Sequence, residues 1–315
     1  MKKVVFIDEV HEVLEQRLKV EGYTCVDATQ LEKEKVIKEL SDAFGLVIRS
    51  RFRLDEAFLK DAEELKFIAR SGAGMENIDL DYTSSREIVC FNAPEGNRNA
   101  VAEHATGMLL SLFNKLNKAD QEVRKGIWDR EGNRGEELDG KTVGIIGFGN
   151  NGSAFAKVLS GFNVKILAYD KYKSDFGNEK VEEVDLETLK KEADVISFHV
   201  PQTEETIYYL NQDFVDEVRK PFYLINLARG KVVNTKALVD GLKNEKIKGA
   251  CLDVLEYESA SFENAFNEQN SPFLDYILAS DKVILSPHVG GWTKESYFKL
   301  SNVLANKILN YKWVK

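Results

Sequence analysis

Short runs of β-branched and aromatic residues alternate with amphipathic stretches along the first 100 residues of the chain. The runs predict five strands, at Val4–Ile7, Thr24–Val26, Leu46–Ile48, Phe67–Ala69 and Val89–Phe91. Between them, segments such as Glu12–Val20 and Glu32–Leu40 carry apolar residues at helical spacing. Strands that alternate with helices are typical of parallel sheets covered by helices. The first block is therefore predicted to be an α/β layer structure.

A second α/β series follows the first. Apolar residues recur at spacings of three and four from Val101 to about Lys125, which predicts one long helix. The polar cluster before it, around Pro94 and Gly96, is interpreted as a turn. Six further strands are predicted, at Thr142–Ile146, Val164–Tyr169, Val195–His199, Phe222–Asn226, Gly249–Leu252 and Val283–Leu285.

The last segment, from Thr293 to about Tyr311, predicts a helix that is too short to form a domain alone. We expect it to return to the first block, which would make that domain discontinuous. The predicted fold is α/β, with two Rossmann-like or flavodoxin-like parallel-sheet domains and the nucleotide domain inserted into the substrate domain. The predicted boundaries are 1–100 for the first part of the substrate domain, 101–286 for the nucleotide domain and 287–315 for the return.

Composition and charge narrow the classes of partner. The 315 residues include 43 Lys and Arg against 52 Asp and Glu, a formal net charge of -9. Such a surface repels nucleic acid and anionic membranes, so an anionic substrate needs locally placed cations. Cys25, Cys90 and Cys251 show no CxxC spacing, and we expect buried thiols and no metal site. With no signal-like or membrane-length apolar run, a cytoplasmic location is expected.

A glycine-rich turn follows the first strand of the second series. Gly147, Gly149 and Gly152 occupy the three glycine positions of GxGxxG, and a helical pattern follows them. The next strand ends in Asp170, whose carboxylate suits the ribose hydroxyls of NAD and repels the 2′-phosphate of NADP. The glycine motif alone is weak evidence, but strand, glycines, helix, strand and acid in this order predict NAD binding.

Reactive side chains follow three later strands. Arg229 follows Phe222–Asn226, Glu258 follows the next strand, and His288 follows the last. Ligands of such sheets bind at the carboxyl ends of the strands. A histidine can take the proton of a hydroxyl as hydride leaves, a carboxylate can orient the imidazole, and an arginine can bind a substrate carboxylate. Each residue alone has an ordinary structural interpretation, but together they predict the oxidation of a small 2-hydroxy acid.

In the motifs GIIGFGNNG, INLARG, LDVLEYE and SPHVGG, the chain resembles the D-isomer-specific 2-hydroxyacid dehydrogenase family over essentially its whole length. The resemblance implies a catalytic triad of Arg229, Glu258 and His288, and a homodimer formed through the long helix and the Ile127–Trp128 connector. Asp253 would hold the nicotinamide carboxamide, whereas His199 is interpreted as structural. The resemblance implies NAD contacts at Gly147, Gly149, Asn150, Asn151, Gly152, Asp170, Val200, Pro201, Leu227, Ala228, Asp253 and Gly290.

Within that family the first block is most similar to the branch that oxidises D-3-phosphoglycerate to 3-phosphohydroxypyruvate in serine biosynthesis. LVIRSRFRLD places Arg49, Ser50 and Arg51 where a phosphate would bind; the alternative is that the two arginines, which alternate along the strand end, face solvent or pair with Glu and Asp. ARSGAGMENIDL is similar to a loop whose amides at Gly72, Ala73 and Gly74 cradle the substrate carboxylate, and Asn97 would lie near the substrate. A glycerate/hydroxypyruvate or other 2-ketoacid reductase is the alternative. A non-catalytic NAD-sensing binding protein is a more distant one.

Two features depart from the family pattern. Ser259 follows Glu258 where the family usually has proline, and the segment between Glu258 and His288 is longer than expected. This segment reshapes one wall of the site or is a surface insertion. The sequence ends at Lys315, so we expect no carboxyl-terminal regulatory domain.

Overall fold

The computed structural model describes residues 2–258 and 271–313. The first part of the long segment after Glu258, residues 259–270 with Ser259, lies outside the described residues. The chain forms two compact units, one made of residues 2–98 and 292–313 and the other of residues 99–258 and 271–291. The chain passes from the first unit to the second after Arg98 and returns after Gly291. The sequence predicts these divisions after residues 100 and 286.

The described residues contain twelve strands and twelve α-helices. In chain order they are β1 Lys3–Phe6, α1 Val13–Val20, β2 Thr24–Asp27, α2 Lys33–Glu39, β3 Gly45–Ile48, α3 Glu56–Leu59, β4 Phe67–Arg70, α4 Leu80–Ser85, β5 Val89–Phe91, α5 Pro94–Phe113, α6 Leu116–Arg124, β6 Thr142–Ile146, α7 Asn150–Leu159, β7 Lys165–Tyr169, β8 Glu182–Glu183, α8 Leu186–Glu192, β9 Val195–Phe198, α9 Gln212–Glu217, β10 Phe222–Asn226, α10 Thr235–Lys243, β11 Ile247–Leu252, α11 Pro272–Ala279, β12 Val283–Leu285 and α12 Lys294–Asn310. None of these helices is both long and apolar enough to cross a membrane.

The first unit is built on a parallel sheet with strand order β2-β1-β3-β4-β5. Successive residues of β1 point to opposite faces, so Val5 packs into one apolar cluster and Val4 and Phe6 pack into another. The second cluster includes Leu300 and Leu304 of α12, which ties the end of the chain to this sheet. Because both faces of the sheet are covered, central strands such as β3 are apolar along their whole length.

The second unit is a seven-stranded parallel sheet in the order β12-β11-β10-β9-β6-β7-β8. β6 pairs with β7 on one side and with β9 on the other, so the direction of winding reverses at β6. In doubly wound sheets, ligands bind at the carboxyl edge beside such a reversal. The predicted fold class, two parallel-sheet domains with one inserted into the other, is confirmed.

The predicted turn around Pro94 and Gly96 is wrong, and the helical stretch predicted from Val101 to Lys125 is helical but interrupted. Two helices occupy this stretch, α5 and α6, and Lys115 separates them in a left-handed conformation with φ of 51°. Pro94 opens α5, which suits proline because the first helical N–H has no intrahelical acceptor. Gly96 lies inside α5, where an added Cβ would lie 2.7 Å from the backbone nitrogen of Leu300. Gly96 therefore permits close packing of α12 and does not form a turn.

His199 directly follows β9 and is an ionisable residue of the second unit with an enclosed imidazole ring. Its Nε2 lies 2.8 Å from the Ser197 hydroxyl, and its Nδ1 is buried with no hydrogen-bond partner among the described residues. Burial lowers the pKa of His199 from 6.5 to about 4. The ring is therefore neutral in the folded protein at pH values where it is protonated in the unfolded chain.

We expect His199→Gln to flatten the dependence of stability on pH between about 4 and 6.5. In this window the unfolded wild-type chain binds the additional proton, so stability is full above pH 6.5 and is lost as the pH falls towards 4. The loss attributable to His199 is about 3 kcal/mol at most. Urea unfolding at a series of pH values measures it. Parallel curves for the wild type and the variant would contradict this origin of the pH dependence.

Candidate active site

The turn between β6 and α7 is shaped by three glycines. Gly147 has a φ of +92°, and an added Cβ would lie 2.7 Å from the carbonyl oxygen of His199. At Gly152 a Cβ would lie 2.1 Å from the carbonyl oxygen of Gly147, so helix and turn pack without room for a side chain. At Gly149, by contrast, a Cβ would meet no atom within 4 Å. Two of the glycines are therefore required by the fold, and the third faces open space.

The amino end of α7 offers hydrogen-bond donors to an anion. Gly149 is the N-cap and supplies no side-chain cap, so the N–H groups of Asn150, Asn151 and Gly152 have no intrahelical acceptor. The helix dipole places positive potential at the same point. The Oδ1 of Asn151 is buried and has no hydrogen-bond partner among the described residues. This end of α7 therefore fits the pyrophosphate of a dinucleotide.

Asp170 lies directly after β7 and is joined to the glycine turn. Its Oδ2 accepts a hydrogen bond of 2.7 Å from the backbone N–H of Phe148, and its Oδ1 accepts bonds from Tyr172 and Lys173. The carboxylate is thus fixed beside the turn, where an adenosine ribose would be expected in such folds. The other predicted NAD contacts lie in loops at the carboxyl edge of the same sheet: Val200 and Pro201 after β9, Leu227 and Ala228 after β10, Asp253 after β11 and Gly290 after β12.

Asp253 organises the loop that carries His288. The residue is only 2% exposed. Its Oδ1 accepts hydrogen bonds from the Ser286 hydroxyl (2.6 Å) and the Val289 N–H (2.9 Å), and its Oδ2 accepts one from the Gly290 N–H (2.7 Å). A carboxylate can accept about four hydrogen bonds. One position remains for the nicotinamide contact predicted from the sequence, which stays a prediction.

His288 and Glu258 are in direct contact. The Nδ1 of His288 lies 2.8 Å from the Oε2 of Glu258, and both side chains are largely buried. The other carboxylate oxygen accepts a hydrogen bond from the N–H of Leu255, which fixes the orientation of the carboxylate. The backbone of His288 has a φ of +53° and is held there by an N–H bond of 2.8 Å to the Asp253 carbonyl. The predicted carboxylate–imidazole pair is therefore present, with Nε2 as the ring nitrogen remote from Glu258.

The segment of Arg229 is tied to the segment of Glu258. Asn226, fully buried at the end of β10, accepts a hydrogen bond from the Ala228 N–H and donates one to the Arg229 carbonyl. Next to it, a Cβ on Gly230 would lie 1.8 Å from the carbonyl oxygen of Leu255, so the two loops are in close contact. An arginine fork and a carboxylate–imidazole pair thus lie on neighbouring loops of one sheet edge. This arrangement can bind a carboxylate and transfer a proton.

In the first unit, Asp8 binds the loop that holds the predicted phosphate residues. Its Oδ2 accepts hydrogen bonds from the consecutive backbone N–H groups of Arg49 (2.6 Å), Ser50 (2.9 Å) and Arg51 (3.1 Å). Three successive N–H groups form a site for an anion, and here the protein's own carboxylate occupies it. The backbone at Ser50 is therefore already bonded, and any ligand of this loop must be recognised by side chains.

The two arginines of this loop have different environments. Arg51 donates to the carbonyl oxygens of Ile7 (3.2 Å), Ala28 (3.2 Å) and Leu31 (2.6 Å), so its guanidinium is used to hold the domain together. We therefore correct its interpretation as a phosphate ligand. The guanidinium of Arg49 instead lies over the ring of Trp292, with 4.2 Å between its central carbon and the ring centroid. A cation over an aromatic face is attracted by the electrons of the ring.

The predicted carboxylate loop follows β4. At Gly72 a Cβ would lie 1.5 Å from the Nη1 of the buried Arg70, so a side chain there would require that guanidinium to move. Asn92 donates a hydrogen bond of 2.7 Å to the carbonyl oxygen of Ala73, which fixes the loop before Gly74. The Oδ1 of Asn97 is buried and has no hydrogen-bond partner among the described residues. The guanidinium of the buried Arg70 therefore lies beside this loop.

Several residues that contact the candidate residues of each unit were not found from the sequence. Asp8 follows β1, so the rule that selected Asp170 at a strand end could have found it. Trp292 follows the SPHVGG motif directly, but no spacing rule predicts its contact with Arg49. His104, on α5, lies 2.9 Å from the Ser286 hydroxyl, which in turn bonds Asp253. That contact requires knowledge of how α5 packs on β12.

A family model and individual relatives both match this chain. The model of the D-isomer specific 2-hydroxyacid dehydrogenase NAD binding domain matches residues 106–290. A D-3-phosphoglycerate dehydrogenase of Archaeoglobus fulgidus is 33% identical over 98% of this chain, and the chain spans 57% of the length of that relative. A glyoxylate reductase of Pyrococcus furiosus is 34% identical, with 95% of this chain and 88% of the relative covered.

Among solved structures, the D-lactate dehydrogenase of Aquifex aeolicus in complex with NAD and lactic acid superposes with a TM-score of 0.81. The two sequences are 29% identical, and the match covers 98% of this chain and 94% of the other. The predicted cofactor, NAD, is the cofactor of the matched domain.

We expect Gly149→Ala to weaken NADH binding and Gly152→Ala to lower folding stability. The Cβ at residue 149 meets no protein atom and should leave folding intact, but it occupies space through which backbone approaches a pyrophosphate, so NADH binding should weaken. The Cβ at residue 152 overlaps a carbonyl oxygen and should cost roughly 2–3 kcal/mol of folding stability. Thermal unfolding and NADH fluorescence titration of both variants measure this. Unchanged NADH affinity in Gly149→Ala would count against the assigned pyrophosphate site.

Proposed function

The chain belongs to the D-isomer specific 2-hydroxyacid dehydrogenase family, and from this premise we propose that it is an active enzyme that interconverts a D-2-hydroxy acid and its 2-keto acid. The observation that supports activity most directly is the 2.8 Å contact between His288 and Glu258 on the sheet edge that carries the glycine turn. A binding protein has no need for an oriented acid–base pair at that edge.

Each residue of the triad has one task in this proposal. In the oxidation direction, the Nε2 of His288 takes the hydroxyl proton of the substrate, and in reduction it returns the proton to the carbonyl oxygen. Glu258 holds the Nδ1 side of the ring and stabilises the imidazolium. The Arg229 guanidinium binds the substrate carboxylate and polarises the reacting carbonyl. The chemistry supplied by bound NAD is hydride transfer to and from the carbon that carries the hydroxyl.

For the substrate we propose D-3-phosphoglycerate and its product 3-phosphohydroxypyruvate, the first oxidation of serine biosynthesis. The support is Arg49, whose guanidinium is oriented by Trp292 in a protein of net charge -9. Ser50 adjoins it, and the loop of Gly72, Ala73 and Gly74 with Asn97 would receive the carboxylate end. The relative from Archaeoglobus fulgidus carries the corresponding name. The Pyrococcus furiosus glyoxylate reductase supports the alternative, an unphosphorylated 2-ketoacid.

We further propose that the protein is a homodimer. α6 and the connector after it expose large apolar side chains, and no residue of α6 is buried. Trp128 is 79% exposed, and Ile127, Val123 and Leu116 are each about half exposed. Exposed apolar residues concentrated on one segment are typical of a protein interface. A cytoplasmic location stays a prediction.

The test of function is NADH oxidation with phosphohydroxypyruvate, hydroxypyruvate, glyoxylate and pyruvate in parallel. We expect turnover to be fastest with the phosphorylated substrate. Faster turnover of an unphosphorylated acid would assign the protein to the reductases. Tight NADH binding with no turnover of any of the four would instead favour a non-catalytic NAD-sensing protein.

In the same assay, Arg49→Ala should raise KM for phosphohydroxypyruvate roughly 10- to 100-fold and leave KM for hydroxypyruvate nearly unchanged. Arg53→Ala, an equal charge change at an exposed residue of the same loop, is the control.

We expect Trp128→Glu to convert the protein from dimers to single chains. A carboxylate placed in an apolar contact must be desolvated without a partner, which disfavours association. Size-exclusion chromatography with light scattering measures the molar mass. Leu278→Glu is the control, since Leu278 is also apolar and exposed but lies on α11. A wild-type protein that runs as a single chain would refute the homodimer.

A further inference from the structure

Glu256 bridges two other segments of the second unit. It lies two residues before Glu258, and its Oε2 accepts a hydrogen bond of 2.8 Å from the backbone N–H of Thr235, the first residue of α10. A carboxylate at this end of a nine-residue helix is stabilised by the helix dipole. Its Oε1 accepts a hydrogen bond of 2.7 Å from the phenol of Tyr208. The two oxygens of one side chain therefore join three chain segments.

Tyr208 is held in an unfavourable backbone conformation. Its φ of +55° lies in the left-handed region, which disfavours residues that have a Cβ. Its backbone N–H donates a bond of 2.7 Å to the carbonyl oxygen of Lys231, and the hydrogen bond of its phenol to Glu256 raises the pKa of Tyr208. Strained residues persist where the surrounding contacts require them. Here the strained residue is the one that reaches Glu256.

The bonds of Glu256 and Tyr208 reach the segments of two triad residues. Lys231, which Tyr208 contacts, lies two residues after Arg229. Leu255, which precedes Glu256, presses its carbonyl oxygen against Gly230 and donates its N–H to the carboxylate of Glu258. A displacement of residues 255–256 would therefore move the Glu258 carboxylate and loosen the loop that carries Arg229.

We propose that Glu256 and Tyr208 form a positioning pair that sets the relative placement of Arg229 and Glu258 for the reaction. The inference rests on the proposed function, since the pair acts through the triad and not on the substrate itself. In this role Glu256 fixes the loop after β11 to the amino end of α10. Tyr208 attaches the loop after β9 to the same carboxylate. Neither residue takes or gives a proton in the reaction.

The kinetic test compares Glu256→Ala, Glu256→Gln and Tyr208→Phe with the wild type. We expect Glu256→Ala to lower kcat roughly 10- to 100-fold, because small misplacements of catalytic groups are costly, while KM for NADH changes little. Glu256→Gln retains an acceptor for the Thr235 N–H and should recover part of the loss. Tyr208→Phe removes one hydroxyl and should lower kcat by less than Glu256→Ala. Glu204→Ala, a change of the same type at an exposed residue of the loop before Tyr208, is the control.

Amide hydrogen exchange supplies a readout that does not depend on activity. In Glu256→Ala, exchange should accelerate in peptides that contain Thr235 and, through the displaced carboxylate of Glu258, at Leu255. Peptides of the glycine turn at residues 147–152 should keep wild-type protection. Unchanged kcat in Glu256→Ala, or accelerated exchange across the whole second unit, would overturn the positioning role. If the wild-type protein turns over no substrate, the proposed function fails, and the exchange pattern alone then decides whether Glu256 holds these two segments.

Discussion

The arrangement of the loop that carries His288 depends on the hydrogen bonds that the buried carboxylate of Asp253 accepts. A carboxylate with 2% exposure is unfavourable unless its oxygens are hydrogen-bonded. Its partners are the Ser286 hydroxyl and the N–H groups of Val289 and Gly290, all on the loop that follows β12. Because these bonds fix the loop on both sides of His288, the left-handed backbone of that residue can be maintained. Removal of any donor would leave a buried charge partly unsatisfied, so the loop has few alternative conformations.

The parallel topology explains why Arg229, Glu258 and His288 follow strands at one edge of the same sheet. β10, β11 and β12 are adjacent, and their carboxyl ends supply Arg229, Glu258 and His288 in that order. β6, β7 and β9 are the next group, and their ends supply the glycine turn, Asp170 and Val200. Neighbouring strands lie about 4.8 Å apart, so loops from adjacent strands touch where they leave the sheet. This crowding accounts for Gly230, which contacts the Leu255 carbonyl, and for Gly147, which contacts the His199 carbonyl.

The sequence predicted what depends on local pattern, and it did not predict what depends on packing at a distance. Strand positions and strand-end residues such as Asp170 and His288 follow from periodicity and from the rule for parallel sheets. The break at Lys115 and the role of Gly96 do not, because the apolar stripe continues through the break and the close neighbour of Gly96, Leu300, is distant in the sequence. For the same reason the sequence assigned Arg49 and Arg51 the same role as phosphate ligands. Only the fold distinguishes a guanidinium that holds three carbonyl groups from one that stacks on Trp292.

The residues proposed for the reaction and the residue proposed to select the substrate have different structural environments in this protein. The groups around His288 and Glu258 satisfy one another within the second unit, so a change in one of them disturbs several others. Arg49 has a looser environment, since Asp8 bonds only its backbone and Trp292 contacts its guanidinium through an aromatic face. A side chain in such a position can be replaced without leaving a buried polar group unsatisfied. Relatives of this chain that share its family bear names that differ in substrate, as with phosphoglycerate and glyoxylate. The physical reason we infer is that the proposed proton-transfer network tolerates few replacements, whereas the residues proposed to recognise the anion can change with little cost to the fold.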